Sequence, residues 1–327
     1  MATGNGAHVI HKLLESKIPG YRVCSYSPYL ELIPPAMRFI KHPLRAEIIH
    51  TTPDYAIFYR SKRIPTVLTF HNYVIDSWLR QYNSLIQKIH YATDLRVWSF
   101  LAIKNAKAIT SVSSFTAKLA KKDLKIDRPI RVIYNGIDTT RFVPENSKTT
   151  RKEVNVIFSG NLTRRKGSQW LPEIAKKLQK NINIYYTLGL RARKSIKNFE
   201  NLKSIGTIPY DQMPCRYHQM DILLHPSVRE GLCLSILEAM GCALPVVASD
   251  SSSIPEQIDH GKGGFLCPVG DVDAFAERIN QLADSPALRK EMGEYNRAKV
   301  EKYFTLERMV SEYRELFEQV LESSHRI

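Results

Sequence analysis

Two glutamates, Glu230 and Glu238, bracket a glycine and an apolar run in the second half of the chain. A buried-strand pattern precedes them, and Pro226 and Gly231 mark a loop, so the sequence predicts a strand, a loop and a short helix that begins between Gly231 and Leu234. Such a helix offers free N–H groups to an anion at the carboxyl end of a strand. The glutamates could accept hydrogen bonds from hydroxyl groups on either side of that anion. This combination fits a nucleoside diphosphate sugar. The alternative is that Glu230 only interacts favourably with the helix dipole and Glu238 is a solvent-exposed helix residue.

A second candidate is the loop at 160–167, which follows a predicted strand at 154–159 and carries three cations beside a glycine. Lys166 supplies a point charge, and Arg164 or Arg165 can hold two oxygens of a diphosphate at once. The spacing differs from that of a Walker A loop. The loop therefore predicts a diphosphate site, with a basic surface loop as the alternative.

These two stretches resemble the signature of retaining glycosyltransferase family 4, whose members have the two-domain GT-B fold. The resemblance covers nearly the whole chain and is sharpest from 154 to 271. Its pattern is Pro-Ser, Glu-Gly, Glu-Ala and then a glycine followed shortly by Pro-Val-Val. The matching residues are Pro226-Ser227, Glu230-Gly231, Glu238-Ala239 and Gly241 to Pro245-Val246-Val247.

The resemblance implies a role for each of these residues. Lys166 and an arginine stabilise the leaving diphosphate, but Asn161 stands at the family arginine's position, which leaves Arg164 or Arg165 to supply that charge. Glu230 holds the sugar hydroxyls and Glu238 the ribose. The remaining donor-side residues are the helix-start amides and the turn that reads the base: Gly231, Leu232, Cys233, Leu234 and Ile208.

In the first half, Thr69-Phe70-His71-Asn72 ends a predicted strand and is similar to a family pattern whose histidine contacts the transferred sugar. Taken alone, a single histidine is more often structural. Gly6 lies in a glycine-containing loop that opens the first predicted helix, as in family members, where this loop approaches the donor. An apolar strand comes before that loop in the family. Only three residues precede Gly4 here, so either the start of the sequence is truncated or this domain lacks its usual first strand.

Strands and helices alternate in the second half, which predicts an α/β fold with a parallel sheet. We expect two Rossmann-like domains that face a cleft. The acceptor-side domain spans 1–149 and is completed by a C-terminal helix at 305–327 that crosses back. The donor-binding domain spans 150–304, and polar residues at 144–153 form the linker.

Composition limits the class of protein. The chain has 327 residues and a net charge of +15, of which residues 1–150 carry 22 Lys+Arg against 10 Asp+Glu. A basic first half suggests an anionic partner, which is a membrane surface, an acidic polymer or nucleic acid, although simple solubility explains it equally well. No motif supports a nucleic-acid partner. The sequence has no apolar run of 18 residues and no apolar signal region at its start, so a cytoplasmic location is expected, either free or peripheral on the inner face of a membrane.

Two further patterns concern partners and metals. Residues 78–107 predict a helical region whose aromatic and basic residues could touch membrane or a lipid acceptor, and a core-facing stripe is the favoured alternative. Asp271-Val272-Asp273 looks like a metal motif but precedes a helical run, so Asp271 is predicted to cap that helix. The family needs no metal, and the five cysteines lack metal or disulfide spacing. The expected activity is transfer from a nucleotide-sugar to an acceptor that the sequence does not identify, and a catalytically impaired sugar-nucleotide binder is the alternative.

Overall fold

The computed structural model describes residues 1–40, 45–61, 63–82, 85–145, 152–189, 196 and 199–325. The chain divides into two compact units, Met1–Asn135 with Glu307–Ile327, and Gly136–Leu306. The predicted boundary between 149 and 150, and residues 146–151 of the predicted linker, lie outside the described residues.

The first unit holds a parallel sheet in the order β1-β2-β3-β4, whose second strand is wholly buried. Side chains of Leu68, Phe70, Ile103, Ile109 and Leu124 form part of the core between the sheet and its helices. The strands are Ile49–Thr51 (β1), Thr66–Phe70 (β2), Ala108–Ser111 (β3) and Arg131–Val132 (β4). The helices are Gly6–Lys17 (α1), Ala56–Tyr59 (α2), Leu85–Ala92 (α3), Asp94–Asn105 (α4) and Ser114–Asp123 (α5), with Leu306–His325 (α12) from the end of the chain.

The second unit holds a parallel sheet in the order β10-β9-β8-β5-β6-β7. Its strands are Val154–Phe158 (β5), Ile182–Tyr186 (β6), Leu202–Ser204 (β7), Ile222–His225 (β8), Val246–Ser249 (β9) and Gly264–Cys267 (β10). Its helices are Leu171–Lys176 (α6), Met213–His218 (α7), Leu234–Gly241 (α8), Ile254–Gln257 (α9), Val272–Asp284 (α10) and Pro286–Tyr303 (α11). The apolar runs of β8 and β9 are fully buried, as expected for central parallel strands covered on both faces.

The order of this second sheet creates a topological switch point. β5 pairs with β6 on one side and with β8 on the other. After β5 the chain continues towards β6 and β7, and after β8 it continues in the opposite direction, towards β9 and β10. The loops that follow β5 and β8 therefore border a crevice at the carboxyl edge of the sheet, where ligands of open α/β sheets bind. Both predicted phosphate-binding stretches are in these two loops.

One prediction about the first unit differs from the structure. In the region 78–107, Leu79 is buried as a core residue, whereas Leu85 is 72% and Ile89 is 60% exposed. The core-facing interpretation is therefore wrong for Leu85 and Ile89, because periodicity does not distinguish an inward stripe from an outward one.

The end of the chain folds as two helices, α11 and α12, that break at Phe304 and Thr305. The break occurs where Thr305 pairs with Ile137, whose N–H donates to Phe304 O at 2.9 Å. Gly136 permits this approach, since a Cβ there would lie 2.1 Å from the carbonyl oxygen of Thr305. Beyond the break, α12 packs in the first unit, where Tyr313 lies among its most buried side chains.

Within the described residues, every helix is too short or too polar to cross a membrane. The five cysteines all lie among the described residues and form no disulfide. Asp271 caps α10 as predicted, because its side chain accepts a hydrogen bond from the amide of Ala274 at 3.0 Å.

Gly136→Ala is expected to lower the free energy of unfolding by at least about 1 kcal/mol, because the new methyl group overlaps the backbone at Thr305. Urea unfolding of the purified variant measures this change. Asp127→Ala, at an exposed position nine residues earlier, is the control and should change stability by less than about 0.5 kcal/mol. Equal stability of the Gly136→Ala variant and the parent would contradict the close approach.

Candidate active site

Backbone contacts fix the loop after β5 against the loop after β8. The carbonyl oxygen of Arg165 accepts hydrogen bonds from the Val228 amide at 2.8 Å and the Ser227 hydroxyl at 3.1 Å. Gly167 follows in the left-handed region at φ +76°, and a Cβ there would lie 2.1 Å from the carbonyl oxygen of Pro226. The two loops are thus in direct contact, and the glycine is required by both its backbone angle and this contact.

The buried carboxylate of Glu230 is the centre of the site. Lys166 Nζ lies 2.8 Å from its Oε1, and Arg165 Nη1 lies 3.5 Å from its Oε2. Ser227 donates its hydroxyl to the same carboxylate, and His225 Nε2 lies 3.4 Å from Oε1. The structure therefore brings together three of the predicted catalytic residues, Lys166, Arg165 and Glu230, and adds His225 and Ser227 to them.

Electrostatics explain why Glu230 can be ionised while it is buried. Burial alone raises the pKa of its carboxyl, but the charges of Lys166 and Arg165, with His225, outweigh it and hold the pKa well below its usual range. Burial likewise acts to lower the pKa of His225, and its neighbours Cys233 and Glu230 reverse that effect and raise it. The cluster consequently carries more positive than negative charge, which favours an anionic ligand.

The thiol of Cys233 belongs to the same cluster. Its Sγ lies 3.9 Å from His225 Nδ1 and 3.1 Å from the hydroxyl of Ser235. Burial acts to raise the pKa of this thiol, but His225 and Lys166 together bring it down to about 7. Cys233 is thus ionisable near neutral pH.

A metal site can be assessed from the same group of residues. In the part of the chain that the structure describes, one trio has ligand atoms within 4.8 Å of one another: His225, Glu230 and Cys233. Lys166 Nζ already contacts the Glu230 carboxylate, so a metal cation there would face a neighbouring ammonium group. The trio has suitable donor atoms in an environment that opposes a further cation, and metal independence stays a prediction.

The predicted helix N-terminus is present, since α8 begins at Leu234 with Cys233 as its N-cap. The Cys233 amide, predicted to hold phosphate, donates instead to Gln257 Oε1 at 3.0 Å, and Gln257 Nε2 donates to the Cys233 carbonyl at 2.8 Å. Gly231 and Leu232 are buried beside it and Leu234 is half-buried. The four predicted residues do lie at the start of one helix, but the amide of Cys233 already donates to the side chain of Gln257.

Glu238 lies on the buried side of α8 and accepts a hydrogen bond from the hydroxyl of Tyr217 at 2.9 Å. Burial raises the pKa of its carboxyl to about 7, against the opposing effect of the Tyr217 hydrogen bond and of the more distant charges of Arg141 and Lys166. Arg141 lies over the ring of Tyr210 at 5.2 Å from the centroid. The positive charges near Glu238 are therefore too weak to offset the effect of burial on its pKa.

Three other predicted residues of the second unit are outside this cluster. Arg164 is exposed in a 3₁₀ turn, so the geometry favours Arg165 as the arginine nearest Glu230. Asn161 packs closely under Gly189, where a Cβ would lie 2.3 Å from its Oδ1. Ile208 is half-buried in the loop after β7.

The two predicted residues of the first unit have different surroundings. Gly6 is the exposed first residue of α1. His71 follows β2, and its Nε2 lies 3.2 Å from His11 Nε2 within a group of histidines that includes His50. Burial lowers the pKa of His71 to about 4, which keeps its ring neutral at physiological pH. The role predicted for His71 stays a prediction.

Sequence reasoning missed several residues that the fold brings to this site. His225 could have been recognised as a histidine at the carboxyl end of a buried strand, five residues before a glutamate. Tyr217, Arg141 and Gln257 had no such signal, because each comes from an element remote in sequence and contacts the site only through tertiary packing.

Glu238→Gln should remove a pH dependence of stability. Because the folded-state pKa is about 7 and the ordinary value is 4.5, the carboxyl favours folding below about pH 4.5 and loses that contribution as the pH rises through 7. Relative to the glutamine variant, the free energy of unfolding of the parent should fall by up to about 3 kcal/mol as the pH rises from 4.5 to 7. Urea unfolding across this range measures the difference. Glu277→Gln, an exposed control, should run parallel to the parent, and a parallel curve for Glu238→Gln would contradict the raised pKa.

Comparison with known proteins places the chain in a family with the fold described above. The model of "Glycosyl transferases group 1" matches residues 140–299, and that of "Glycosyltransferase Family 4" matches residues 6–141. The chain is similar to the sulfoquinovosyl transferase SQD2 of Arabidopsis thaliana, with 26% identity over 84% of this chain and 58% of that protein. The chain spans 23% to 62% of the length of the curated relatives it matches.

Solved structures share the fold. Sucrose-phosphate synthase from Thermosynechococcus elongatus aligns with a TM-score of 0.74 and 18% identity over 90% of this chain and 78% of that one. The HepE protein of Anabaena, in complex with UDP-glucose, aligns with a TM-score of 0.69 and 16% identity over 96% and 90% of the two chains. With two parallel-sheet α/β units and family matches along residues 6–299, the chain belongs to the glycosyltransferases of family 4, which have the GT-B fold.

Proposed function

We propose that this transferase is a retaining enzyme of the hexosyltransferase type that uses a UDP- or GDP-sugar as donor. The observation that carries the proposal is the cluster of Lys166, Arg165 and Glu230 at the switch point of the second sheet. The UDP-glucose bound by the Anabaena HepE protein supports a nucleotide-sugar donor. We propose a lipid, polysaccharide or small-molecule acceptor, in the synthesis of cell-envelope glycans or glycolipids.

The charges of the cluster suit a diphosphate. Lys166 and Arg165 contribute two positive charges against the single negative charge of Glu230, and His225 has a raised pKa. A diphosphate that bound beside Lys166 would raise the pKa of His225 further, because a nearby negative charge favours the imidazolium. The cluster would thereby gain positive charge as the donor binds.

In the proposed reaction, the bond between the anomeric carbon and the diphosphate breaks while a bond to the acceptor hydroxyl forms on the same face of the sugar. Lys166 and Arg165 stabilise the charge that develops on the leaving diphosphate. A leaving phosphate oxygen takes the proton of the acceptor, so no protein base is needed. Glu230 would hold sugar hydroxyls and Glu238 the ribose.

We also propose that the enzyme works in the cytoplasm, at the inner face of a membrane. The basic first half of the chain supports this location, since 22 Lys+Arg against 10 Asp+Glu attract anionic lipid. No nucleic-acid partner is proposed.

A second candidate is a catalytically impaired protein that binds nucleotide-sugars. Asn161 favours this candidate. It lies in the same loop as Lys166, but its side chain is neutral and packs against Gly189. Binding of UDP or GDP without turnover of any sugar donor would favour this candidate, and turnover would exclude it.

Lys166→Met is expected to lower turnover by at least about a hundredfold, because it removes a charge that stabilises the leaving group. Release of UDP or GDP from a panel of UDP- and GDP-sugars, with the responsive donor first identified by thermal shift, measures the rate. Arg164→Met, in the same loop but exposed, is the matched control and should retain at least about a third of the rate.

Loss of Lys166 leaves the Glu230 carboxylate without its closest cation, so the variant could fail by unfolding. The double variant Lys166→Met/Glu230→Gln removes both charges and separates the two effects. It should remain folded and inactive. A folded double variant with a near-normal rate would refute the assignment.

The transfer reaction should continue at an unchanged rate in excess EDTA, since Lys166 and Arg165 take the place of a metal at the diphosphate. Rates with EDTA, and with EDTA followed by excess Mg²⁺ or Mn²⁺, measure this. A rate that collapses with EDTA and recovers with either metal would overturn the proposed metal independence.

A further inference from the structure

Large apolar side chains are exposed mainly on one part of the first unit. Among the described residues, six of the ten exposed large apolar side chains lie between 78 and 101. Scattered exposed apolar residues need no explanation, whereas a contiguous group marks an interaction surface. The group on α3 and α4, with the turn before them, is therefore a candidate surface.

Helix α4 has two apolar faces. Its inward face holds Leu95, Ser99, Ala102 and Ile103, which are buried against the core. Its outward face holds Val97, Phe100 and Leu101, which are 55%, 50% and 37% exposed, and exposed Lys104 continues the same stripe. The positions 97, 100, 101 and 104 follow helical spacing, so these side chains share one face.

Helix α3 and the turn before it carry further exposed apolar side chains. Leu85 and Ile89, one helical turn apart, are exposed on α3, and α3 packs beside α4 through the ring contact of His90 with Trp98. In the preceding turn, the half-exposed ring of Trp78 lies 5.6 Å from that of Tyr82. We name this set the α3–α4 surface: Trp78, Leu85, Ile89, Val97, Phe100 and Leu101.

The charges around the surface identify its partner. Residues 77–131 contain eleven Lys and Arg against three Asp and Glu. Four of the lysines, all exposed, follow on α5 and just after it, and α5 is tied to α4 by the ion pair of Arg96 with Asp123. They are Lys118, Lys121, Lys122 and Lys125. Lysine is depleted in protein–protein interfaces, whereas apolar side chains beside a lysine cluster are typical of surfaces that bind anionic membranes.

We propose that the α3–α4 surface inserts its apolar side chains into the headgroup region of an anionic lipid bilayer while the lysines of α5 contact lipid phosphates. Trp78 and Tyr82 suit the boundary between headgroups and acyl chains, where aromatic rings with a polar end are enriched. Lys104 can lay its aliphatic stem along the apolar stripe and keep its ammonium among the headgroups. The inference rests on the membrane location proposed above and names the surface and lipid class that produce it.

Vesicle co-sedimentation of the full chain without any sugar donor tests this inference. The protein should bind vesicles that contain phosphatidylglycerol in about a third of their lipids more tightly than vesicles of phosphatidylcholine alone, and added salt should weaken that binding. Phe100→Gln/Leu101→Gln should reduce binding to the anionic vesicles at least about tenfold, because two apolar side chains that would enter the bilayer are lost. Tyr303→Gln, an exposed apolar residue of α11, is the matched control and should bind as the parent does.

Three results would overturn the inference: no binding of the parent to anionic vesicles, equal binding by the double variant, or a parent dimer in light scattering that the double variant converts to monomer. The last result would assign the surface to a second copy of the chain. Thermal unfolding of the double variant should match that of the parent, since both substituted side chains are exposed. Because the assay measures lipid binding alone, a protein that binds vesicles but transfers no sugar would refute only the proposed activity.

Discussion

The ion pair of Lys166 with Glu230 is the interaction on which the candidate site depends. It joins the loop after β5 to the loop after β8, and these loops are already in contact through the Arg165 carbonyl. A buried carboxylate without a cation is costly, so the pair also fixes which way the lysine points. In the proposed function, the donor would therefore bind to a lysine that is held in place before the donor arrives. Such preorganisation reduces the cost of ordering the side chain during the reaction.

Three groups around this pair differ in how readily they ionise. Glu230 is ionised because cations surround it, whereas the pKa of Glu238, which lies farther from those cations, is raised to about 7 by burial. Cys233 has a pKa of about 7 because the same cations act on its thiol. The positive charges thus decide the lowered pKa of Glu230 and of Cys233, whereas burial decides the raised pKa of Glu238. Changes at Lys166 are expected to alter all three.

The sequence allowed individual site residues in the two loops to be identified, but it did not predict the contacts between those loops. Lys166 and Glu230 were identified because each lies in a local pattern of glycine, charge and strand end. Their contact depends on the sheet order, which places β5 beside β8 although 63 residues separate the two strands. Tyr217 and Gln257 reach the site through tertiary packing, so no local pattern could reveal them. Leu85 and Ile89 were misassigned because an outward apolar stripe has the same period as an inward one.

Gln257 illustrates how a single side chain can take the place of a neighbouring strand. Its amide accepts from the N–H and donates to the C=O of Cys233, as a backbone peptide group would in a sheet. A glutamate would lose the donor, an alanine would lose both bonds, and an asparagine would be one methylene too short. Position 257 should consequently tolerate little variation among functional sequences, even though it need not touch substrate. A saturation library at this position would record that narrow tolerance as a backbone requirement of the loop before α8.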